Sequence, residues 1–186
     1  METTLIRTRS LVQCGLFAAL IAVGAFIQIP IPSMDYFTMQ FIFVILSGML
    51  LGSSKGAISA GVYVLIGLVG FPVFAAGGGI SYIFRPTFGY LIGFILAAWL
   101  SGLIVEKSQS ATYKTYLGAA FSGLVATYFL GYFYKFIILN FYMGTPTPWP
   151  LIFLASFPLD LPGDILLCFL GAAFIKKVKP LLRGML

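Results

Sequence analysis

Long runs of hydrophobic residues dominate this chain, and its few charged residues fall between the runs. An uncharged run of about 20 residues, or roughly 17–25 with tilt, is long enough for a helix to cross a membrane. The runs, and the charges and prolines that end them, predict six such helices. The predicted helices cover residues 11–29, 37–52, 56–70, 87–105, 116–134 and 161–175. The second and third are short, and the fifth run can be extended to residue 140.

The composition is that of a membrane protein. Of the 186 residues, 60% are hydrophobic and only 9% are charged, against about 25% charged in soluble proteins. No polar linker divides the chain, so we predict an all-α integral membrane protein with one domain over residues 1–186, a compact bundle of six transmembrane helices. Arg7 and Arg9 before the first run also fit a cleaved signal peptide. More membrane-like sequence follows that run, which favours a first transmembrane helix.

The positive charges predict the orientation of the bundle. Cytoplasmic loops of membrane proteins carry an excess of Lys and Arg, and an even number of helices places both termini on one side. Arg85 and Lys135 fall on the other side. The remaining nine of the eleven cations share the side of the termini: Arg7, Arg9, Lys55, Lys107, Lys114, Lys176, Lys177, Lys179 and Arg183. We therefore predict cytoplasmic N- and C-termini in a lipid bilayer, with basic residues that mark topology and do not bind nucleic acid.

Five charged residues lie near the external ends of the predicted helices: Asp35, Arg85, Lys135, Asp160 and Asp164. Charges within a membrane are costly and usually face a partner or a cavity. Their common depth predicts a polar pocket that opens to the outside. Three of them also have simpler interpretations. Asp164 fits a helix cap, Asp160 fits a loop residue in water, and Lys135 fits a side chain that reaches the lipid headgroups.

A glycine-rich external segment, FAAGGGISYIFRP at residues 74–86, connects predicted helices three and four. No strand precedes the glycines at 77–79 and no GK[ST] follows them, which excludes a nucleotide-phosphate loop. Glycine permits close approach of the backbone to a ligand, and aromatic rings can pack against the apolar part of a ligand. The residues predicted to contact a ligand here are Gly78, Gly79, Ser81, Tyr82 and Tyr90. Arg85, fixed by the proline after it, suits a carboxylate. The alternative is an ordinary exterior loop.

The sequence contains no recognisable catalytic or ATP-binding motif. Walker, H-E-x-x-H and G-x-S-x-G patterns are absent, so we predict a binding protein that obtains its energy elsewhere, and not an enzyme. There is no His, and Cys14 and Cys168 lie in apolar runs, so neither a metal site nor a disulfide framework is indicated.

In the first helix, Ala18-x-x-x-Ala22 is a small-xxx-small pattern. It serves either close packing inside the bundle or docking of another membrane protein.

Two blocks of the sequence closely resemble the BioY family, the biotin-specific S components of energy-coupling factor (ECF) vitamin transporters. The first block, residues 38–94, contains LSGMLLG, YVLIGLVGFPVF, the glycine-rich segment and PTFGYLIGF. The second, FPLDLPGD at residues 157–164, resembles the P-G-D of the family near the start of the last helix. Ala18 and Ala22 match the A-x-x-x-A with which such subunits dock onto their transmembrane coupling protein.

The resemblance implies a high-affinity biotin-binding subunit of an ABC importer in the plasma membrane of a prokaryote, with no cofactor. The implied partners are the transmembrane coupling protein (T component) and two ATP-binding cassette ATPases. In this interpretation Asp164 accepts the ureido N–H groups of biotin, and Arg85 or Lys135 faces its carboxylate. An S component for another vitamin or small carboxylate stays open, and so does a structural or assembly protein without a ligand.

Two positions depart from the family pattern. Phe88 stands where the family usually has glycine, which predicts a bulkier pocket wall. Leu167 stands where a lysine usually follows P-G-D, and Lys135 is a candidate substitute for that lysine.

Overall fold

The computed structural model describes residues 2–29, 37–156 and 160–181. Most of these residues are helical, which confirms the helical class. The α-helices described are α1 Glu2–Phe26, α2 Gln40–Leu51, α3 Ser53–Val69, α4 Phe88–Lys107, α5 Tyr113–Ile137, α6 Trp149–Ser156 and α7 Asp160–Leu181. Two short strands, β1 (Gln28–Ile29) and β2 (Phe37–Thr38), are an addition to the predicted all-α fold.

Three helical segments of the described chain are long and apolar enough to cross a membrane. They are Thr8–Phe26, Phe88–Lys107 and Tyr113–Tyr142. The helices α2 and α3 are apolar but shorter, at 12 and 17 residues. A membrane protein is therefore supported by length and composition, while the number of six spans and the side of the termini stay predictions.

The first two helices are shorter at their facing ends than the sequence pattern predicts. α1 ends at Phe26 and α2 begins at Gln40. Between them β1 and β2 pair antiparallel, with Ile29 opposite Phe37. Extended backbone occupies these positions, so neither helix includes them.

α2 and α3 are consecutive helices that pack against each other, and Gly52 is the single residue between them. The φ of Gly52 is 93°, a left-handed conformation that favours glycine. At the end of α4, the Glu106 carboxylate accepts hydrogen bonds from the N–H (2.8 Å) and the hydroxyl (2.7 Å) of Ser53. It thereby caps the N-terminus of α3, where a negative charge is favoured. On the other side of Gly52, Lys179 Nζ donates to the Met49 carbonyl at 2.9 Å.

The glycine-rich segment folds against the end of α3. Gly77 and Gly79 have positive φ angles of 107° and 105°, and the Gly79 N–H donates to the Gly67 carbonyl at 2.7 Å. Phe74 is buried with its ring against Gly67, where an added Cβ would lie 2.1 Å from the ring. A 3-10 turn, Ile80–Phe84, then leads towards α4. The connection is thus a packed structure held to α3.

The connection from α5 to α6 is also structured. α5 continues in a π-helical turn, Ile138–Tyr142. Within it Asn140 donates to the Thr147 carbonyl (3.1 Å) and accepts from the Thr147 N–H (2.9 Å). The prolines of residues 143–150 do not predict the helix α6 that follows. Pro150 is its second residue, a position where the missing N–H breaks no helical hydrogen bond.

α4 packs along α5, and α2, α3 and α7 pack around this pair. Glycines bring the backbones together. A Cβ on Gly48 of α2 would lie 2.0 Å from the Ala98 carbonyl oxygen of α4, and one on Gly93 of α4 would lie 2.8 Å from Cα of Thr127 on α5. Such close crossings at small residues are typical of helices in membranes. They hold the helices at a fixed spacing around the cavity between them.

Candidate ligand-binding site

A cavity beside the glycine-rich segment brings together most of the residues predicted to bind a ligand. Six of those nine residues line it: Asp164, Arg85, Lys135, Tyr82, Tyr90 and Asp160. The other lining residues are Phe37, Thr38, Gln40, Phe41, Ala75, Ala76, Thr87, Leu91, Phe94, Thr127 and Tyr128. An apolar and aromatic wall with a few polar and charged groups is the usual composition of a small-molecule site.

Asp164 is a buried carboxylate in the wall of the cavity, with 9% of its surface exposed. Its Oδ2 accepts a hydrogen bond from the Tyr128 hydroxyl at 2.9 Å, whereas its Oδ1 has no hydrogen-bond partner among the described residues. Asp164 is the fifth residue of α7, which lies beyond the position of a helix cap. Burial of a charged oxygen without a partner is costly, so this geometry favours a hydrogen-bond donor on a ligand.

Asp160 lies on the same face of α7 as Asp164. The two are four residues apart and share a face because α7 already begins at Asp160. Asp160 is half-buried and lines the cavity. It is therefore part of the wall, and the interpretation as a loop residue in water is wrong for this structure.

Two cations line the same cavity. Arg85 follows the 3-10 turn and is exposed, and its guanidinium carbon lies 5.2 Å from the centre of the Tyr82 ring, within the range of a cation–π contact. Lys135 is half-buried on α5. At 1.5 Å per residue, Lys135 lies about 10 Å farther along α5 than Tyr128. Positive charge is thus available at a distance from the bond between Tyr128 and Asp164.

Gln40 provides a buried amide in the wall, with 3% of its surface exposed. Its Nε2 donates to the Tyr63 hydroxyl, which donates to the Val73 carbonyl at 3.2 Å. Thr38 Oγ1 donates to Gln40 Oε1 at 3.2 Å. This network joins β2, α2 and α3 to the start of the glycine-rich segment. Gln40 is absent from the sequence-based prediction, although an amide inside an apolar run is a usable signal.

Aromatic rings form the apolar part of the wall. Tyr90 packs edge-on against Tyr128, with ring centres 5.7 Å apart and planes at 87°. The Tyr90 ring also lies against Gly131 of α5, where an added Cβ would come within 2.5 Å of it. The absence of a side chain at Gly131 therefore determines where Tyr90 lies.

Three predicted residues of the glycine-rich segment are not part of the described cavity wall. They are Gly78, Gly79 and Ser81; Ala75 and Ala76 line the cavity from this segment. An added Cβ on Gly78 would lie 2.1 Å from a backbone carbonyl, and Ser81 is exposed. The glycines thus serve the folding of the segment, and their contact with a ligand stays a prediction.

The two departures from the family pattern also lie outside the cavity wall. Phe88 is buried against Tyr134, with ring centres 5.7 Å apart, and Leu167 is buried in the core. The predicted bulkier wall is therefore wrong, because the Phe88 ring packs beside the cavity and not into it. Lys135 lines the cavity together with Asp164, and its role as a substitute for a lysine at position 167 stays a prediction.

The small residues of α1 lie on two different sides of the helix. Ala18 is 4% exposed and Ala22 is half-buried, whereas Gly15 and Ala19 are exposed. Ala18 therefore contributes to packing within the bundle. The exposed small residues four positions apart are Gly15 and Ala19. Docking at Ala18 and Ala22 stays a prediction.

Two hydroxyl residues of the cavity wall, Thr127 and Tyr128, are also absent from the sequence-based prediction. They are neighbours on α5, and both are buried. Neutral hydroxyl side chains are common packing residues in membrane helices, so the sequence alone gives no signal that separates them from the core.

Comparison with known proteins establishes the family. The model of the BioY family matches residues 1–184. The chain belongs to the BioY family. The "Probable biotin transporter BioY" of Lysinibacillus sphaericus is 43% identical over 177 residues, which cover 95% of this chain and 90% of that protein. The "Biotin transporter BioY" of Thermotoga maritima is 45% identical over 136 residues, 73% of this chain and 76% of that protein.

A solved structure extends the comparison to the fold. The crystal structure of the S-component for biotin from an ECF-type ABC transporter matches this chain with a TM-score of 0.75 and 25% sequence identity. The match covers 94% of this chain and 92% of that chain. The BioY-family chain therefore has the fold of an S component over nearly its whole length.

Proposed function

We propose that this chain is the biotin-binding S component of an ECF-type ABC importer. It captures biotin at the external face of the membrane and delivers it inward when it is docked on its energy-coupling module. Membership of the BioY family and the S-component fold support biotin as the ligand. The observation that carries the proposal is the cavity, where the buried carboxylate of Asp164 and the cations Arg85 and Lys135 line one space.

Biotin has complementary polar groups at its two ends. Its cyclic urea carries two N–H donors, and its valerate tail ends in a carboxylate. The open Oδ1 of Asp164 accepts a urea N–H, which forms a charge-assisted hydrogen bond. Arg85 or Lys135 binds the carboxylate, and the guanidinium of Arg85 offers two parallel donors for it. Tyr82 and Tyr90 pack against the apolar rings and tail between these ends.

The remaining predicted contacts have weaker support in the geometry. Asp160 lines the wall one turn before Asp164 and is proposed to receive the second urea N–H. Gly78, Gly79 and Ser81 lie outside the wall, so they contact the ligand only if the glycine-rich segment moves towards the cavity. We assign them to the loaded state of the protein.

The proposal includes the topology of the chain in the plasma membrane of a prokaryote. Six transmembrane helices, α1 to α5 and α7, place both termini in the cytoplasm, and the glycine-rich segment connects α3 and α4 on the outside. The charge distribution supports this orientation, because nine of the eleven cations fall on the side of the termini. The cavity then opens to the external face.

Energy for import comes from partner proteins. We propose a T component and two ATP-binding cassette ATPases, since the sequence contains no Walker motif. The proposed docking element is α1, with its small residues Ala18, Ala22, Gly15 and Ala19. Small residues permit close approach of a second helix.

Direct measurement of binding tests the proposal. The protein purified in detergent is expected to bind biotin with nanomolar-range affinity by calorimetry. Its melting temperature is expected to rise with biotin concentration, because the ligand binds only the folded state. Other vitamins and small carboxylates in the same assay separate biotin from a different ligand. A protein that no member of this panel stabilises would have a structural role and no ligand.

A further inference from the structure

Thr127 is a buried hydroxyl in the cavity wall that has no hydrogen bond to the described residues. Its side chain is 1% exposed, and its Oγ1 lacks a partner. Buried polar groups in proteins are almost always hydrogen-bonded. An unsatisfied hydroxyl that lines a cavity is therefore placed to bond with whatever occupies that cavity.

Several other serine hydroxyls of this bundle bond to a carbonyl of their own helix. The half-buried Ser122, also on α5, donates to the Ala119 carbonyl at 2.8 Å, and the buried Ser47 on α2 donates to the Val44 carbonyl at 2.7 Å. This local bond is the usual arrangement for Ser and Thr in helices. Thr127 departs from it, so its open hydroxyl is a property of this position and not of hydroxyl residues in the bundle.

The next residue, Tyr128, orients the carboxylate of Asp164, whose Oδ1 is also without a hydrogen-bond partner among the described residues. Its hydroxyl donates to Oδ2 of Asp164 at 2.9 Å, which restrains rotation of the carboxylate and leaves Oδ1 without a partner. α5 thus supplies one open donor directly, at Thr127, and orients one open acceptor, at Asp164. A donor and an acceptor in one wall match the carbonyl oxygen and the N–H of a urea.

We propose that Thr127 and Tyr128 determine the specificity of the site for the cyclic urea. The Thr127 hydroxyl donates to the urea carbonyl oxygen. Tyr128 is a positioning residue, which holds Asp164 so that Oδ1 accepts a urea N–H. This inference rests on the proposed function, because it takes the ligand of the cavity to be biotin with its urea towards Asp164.

The contribution of Thr127 is tested with two variants, of which one keeps the shape of the side chain and the other keeps its hydroxyl. Thr127→Val removes the hydroxyl and is expected to weaken biotin binding at least about tenfold, since the urea oxygen loses its donor. Thr127→Ser keeps the hydroxyl and is expected to bind within about threefold of the wild type. Ser122→Ala is the control on the same helix and is expected to bind normally. Equal losses in the Val and Ser variants would overturn the proposal, because removal of the hydroxyl would then have no effect of its own.

Analogues of biotin locate the effect at the urea. An analogue with sulfur in place of the urea oxygen is a weaker hydrogen-bond acceptor, and Thr127→Val is expected to change its affinity little. For the amide of biotin, which lacks only the charged carboxylate, Thr127→Val is expected to cause the same loss as for biotin. Loss of the Thr127→Val effect with the amide would place Thr127 at the tail and contradict the assignment.

A double-mutant cycle tests the positioning role of Tyr128. Tyr128→Phe keeps the ring and is expected to weaken biotin binding about fivefold in the wild-type background. In the Asp164→Asn background the same change is expected to have no further effect, because the carboxylate that it orients is gone. Equal losses in the two backgrounds would mean that Tyr128 acts by packing, and the positioning role would be wrong.

The outcomes separate this inference from the proposed function. If the wild-type protein does not bind biotin, the proposed function is wrong and the inference falls with it. If the wild-type protein binds biotin and Thr127→Val binds it as tightly as Thr127→Ser does, only the inference is wrong. Melting temperatures of the ligand-free variants identify any that lose binding through misfolding. If Thr127→Val misfolds, weaker binding of the sulfur analogue than of biotin by the wild-type protein supports the Thr127 donor, and equal binding contradicts it.

Discussion

The hydroxyl of Tyr134 on α5 donates a hydrogen bond to the carbonyl of Ile83, in the 3-10 turn between the glycines and α4. Tyr82 and Arg85, which both line the cavity, lie one residue before and two residues after Ile83 in the chain. One side chain of α5 therefore holds the part of the glycine-rich segment that carries two residues of the cavity wall.

Loss of this hydrogen bond is expected to speed the release of biotin. Tyr134→Phe keeps the ring contact with Phe88 and removes only the hydroxyl. A typical hydrogen bond contributes about 1 kcal/mol, so we expect biotin to dissociate about fivefold faster and the amides of residues 74–85 to exchange faster with solvent. Tyr142→Phe, whose ring stacks on Phe84, is the control. Dissociation at the wild-type rate in Tyr134→Phe would contradict a role for this hydrogen bond.

Asp164→Asn is expected to weaken biotin binding at least tenfold, about 1.4 kcal/mol. The substitution removes the charged acceptor for the urea N–H while the side chain keeps its shape. Calorimetric titration measures the change. Glu106→Gln, which alters a carboxylate at the opposite end of the bundle, is expected to bind biotin normally. Normal affinity in Asp164→Asn would remove Asp164 from the site.

Arg85→Ala is expected to weaken the binding of biotin at least tenfold, about 1.4 kcal/mol, and to leave the binding of biotin amide nearly unchanged. The amide lacks the negative charge that the guanidinium binds. Lys135→Ala measured with the same two ligands separates the two cations. If only Lys135→Ala distinguishes biotin from its amide, Lys135 binds the carboxylate and the assignment to Arg85 is wrong.

Gly131→Ala is expected to weaken biotin binding about tenfold, because the new methyl group displaces the Tyr90 ring. Gly118 on the same helix is the matched control, since nothing lies within 4 Å of an added Cβ there. Gly118→Ala is expected to bind as the wild type does and to melt at the same or a slightly higher temperature, because alanine favours helix. Equal affinities in the two variants would show that the position of Tyr90 is unimportant.

Ala19→Leu is expected to reduce the amount of T component that co-purifies with this chain and to leave biotin binding intact. The larger side chain prevents close approach of a second helix to the exposed side of α1. Val125→Leu, on an exposed face of α5, is the control. Undiminished co-purification with Ala19→Leu would exclude docking on this side of α1.

The sequence predicts the positions of most helices because the rule is physical and local. A backbone in lipid must bond within its own segment, so run length and charge locate α4 and α5 well. Contacts that involve only a few residues are harder to predict from the sequence. The ends of α1 and α2 depend on pairing between Ile29 and Phe37, and no run of apolar residues reveals it. α6 begins among prolines, which predict only where a helix ends.

The same distinction applies to the site. Asp164, Arg85 and Lys135 are identified by the cost of placing charge in a membrane, whatever the rest of the fold. Thr127 has no such cost, and its open hydroxyl is evident only when its neighbours are known. The side to which Ala18 turns depends on how α1 packs, because small residues surround much of that helix.

Main chain meets main chain at three helix crossings of this bundle. Gly93 meets the backbone of Thr127, Gly48 meets the carbonyl of Ala98, and an added Cβ on Gly102 would lie 2.5 Å from the Ser53 nitrogen. Rotation of side chains opens no route through these three crossings, because backbone atoms are in contact there. We therefore expect a ligand to pass these crossings only if the helices themselves move. This expectation favours a carrier that moves with its cargo over a fixed channel.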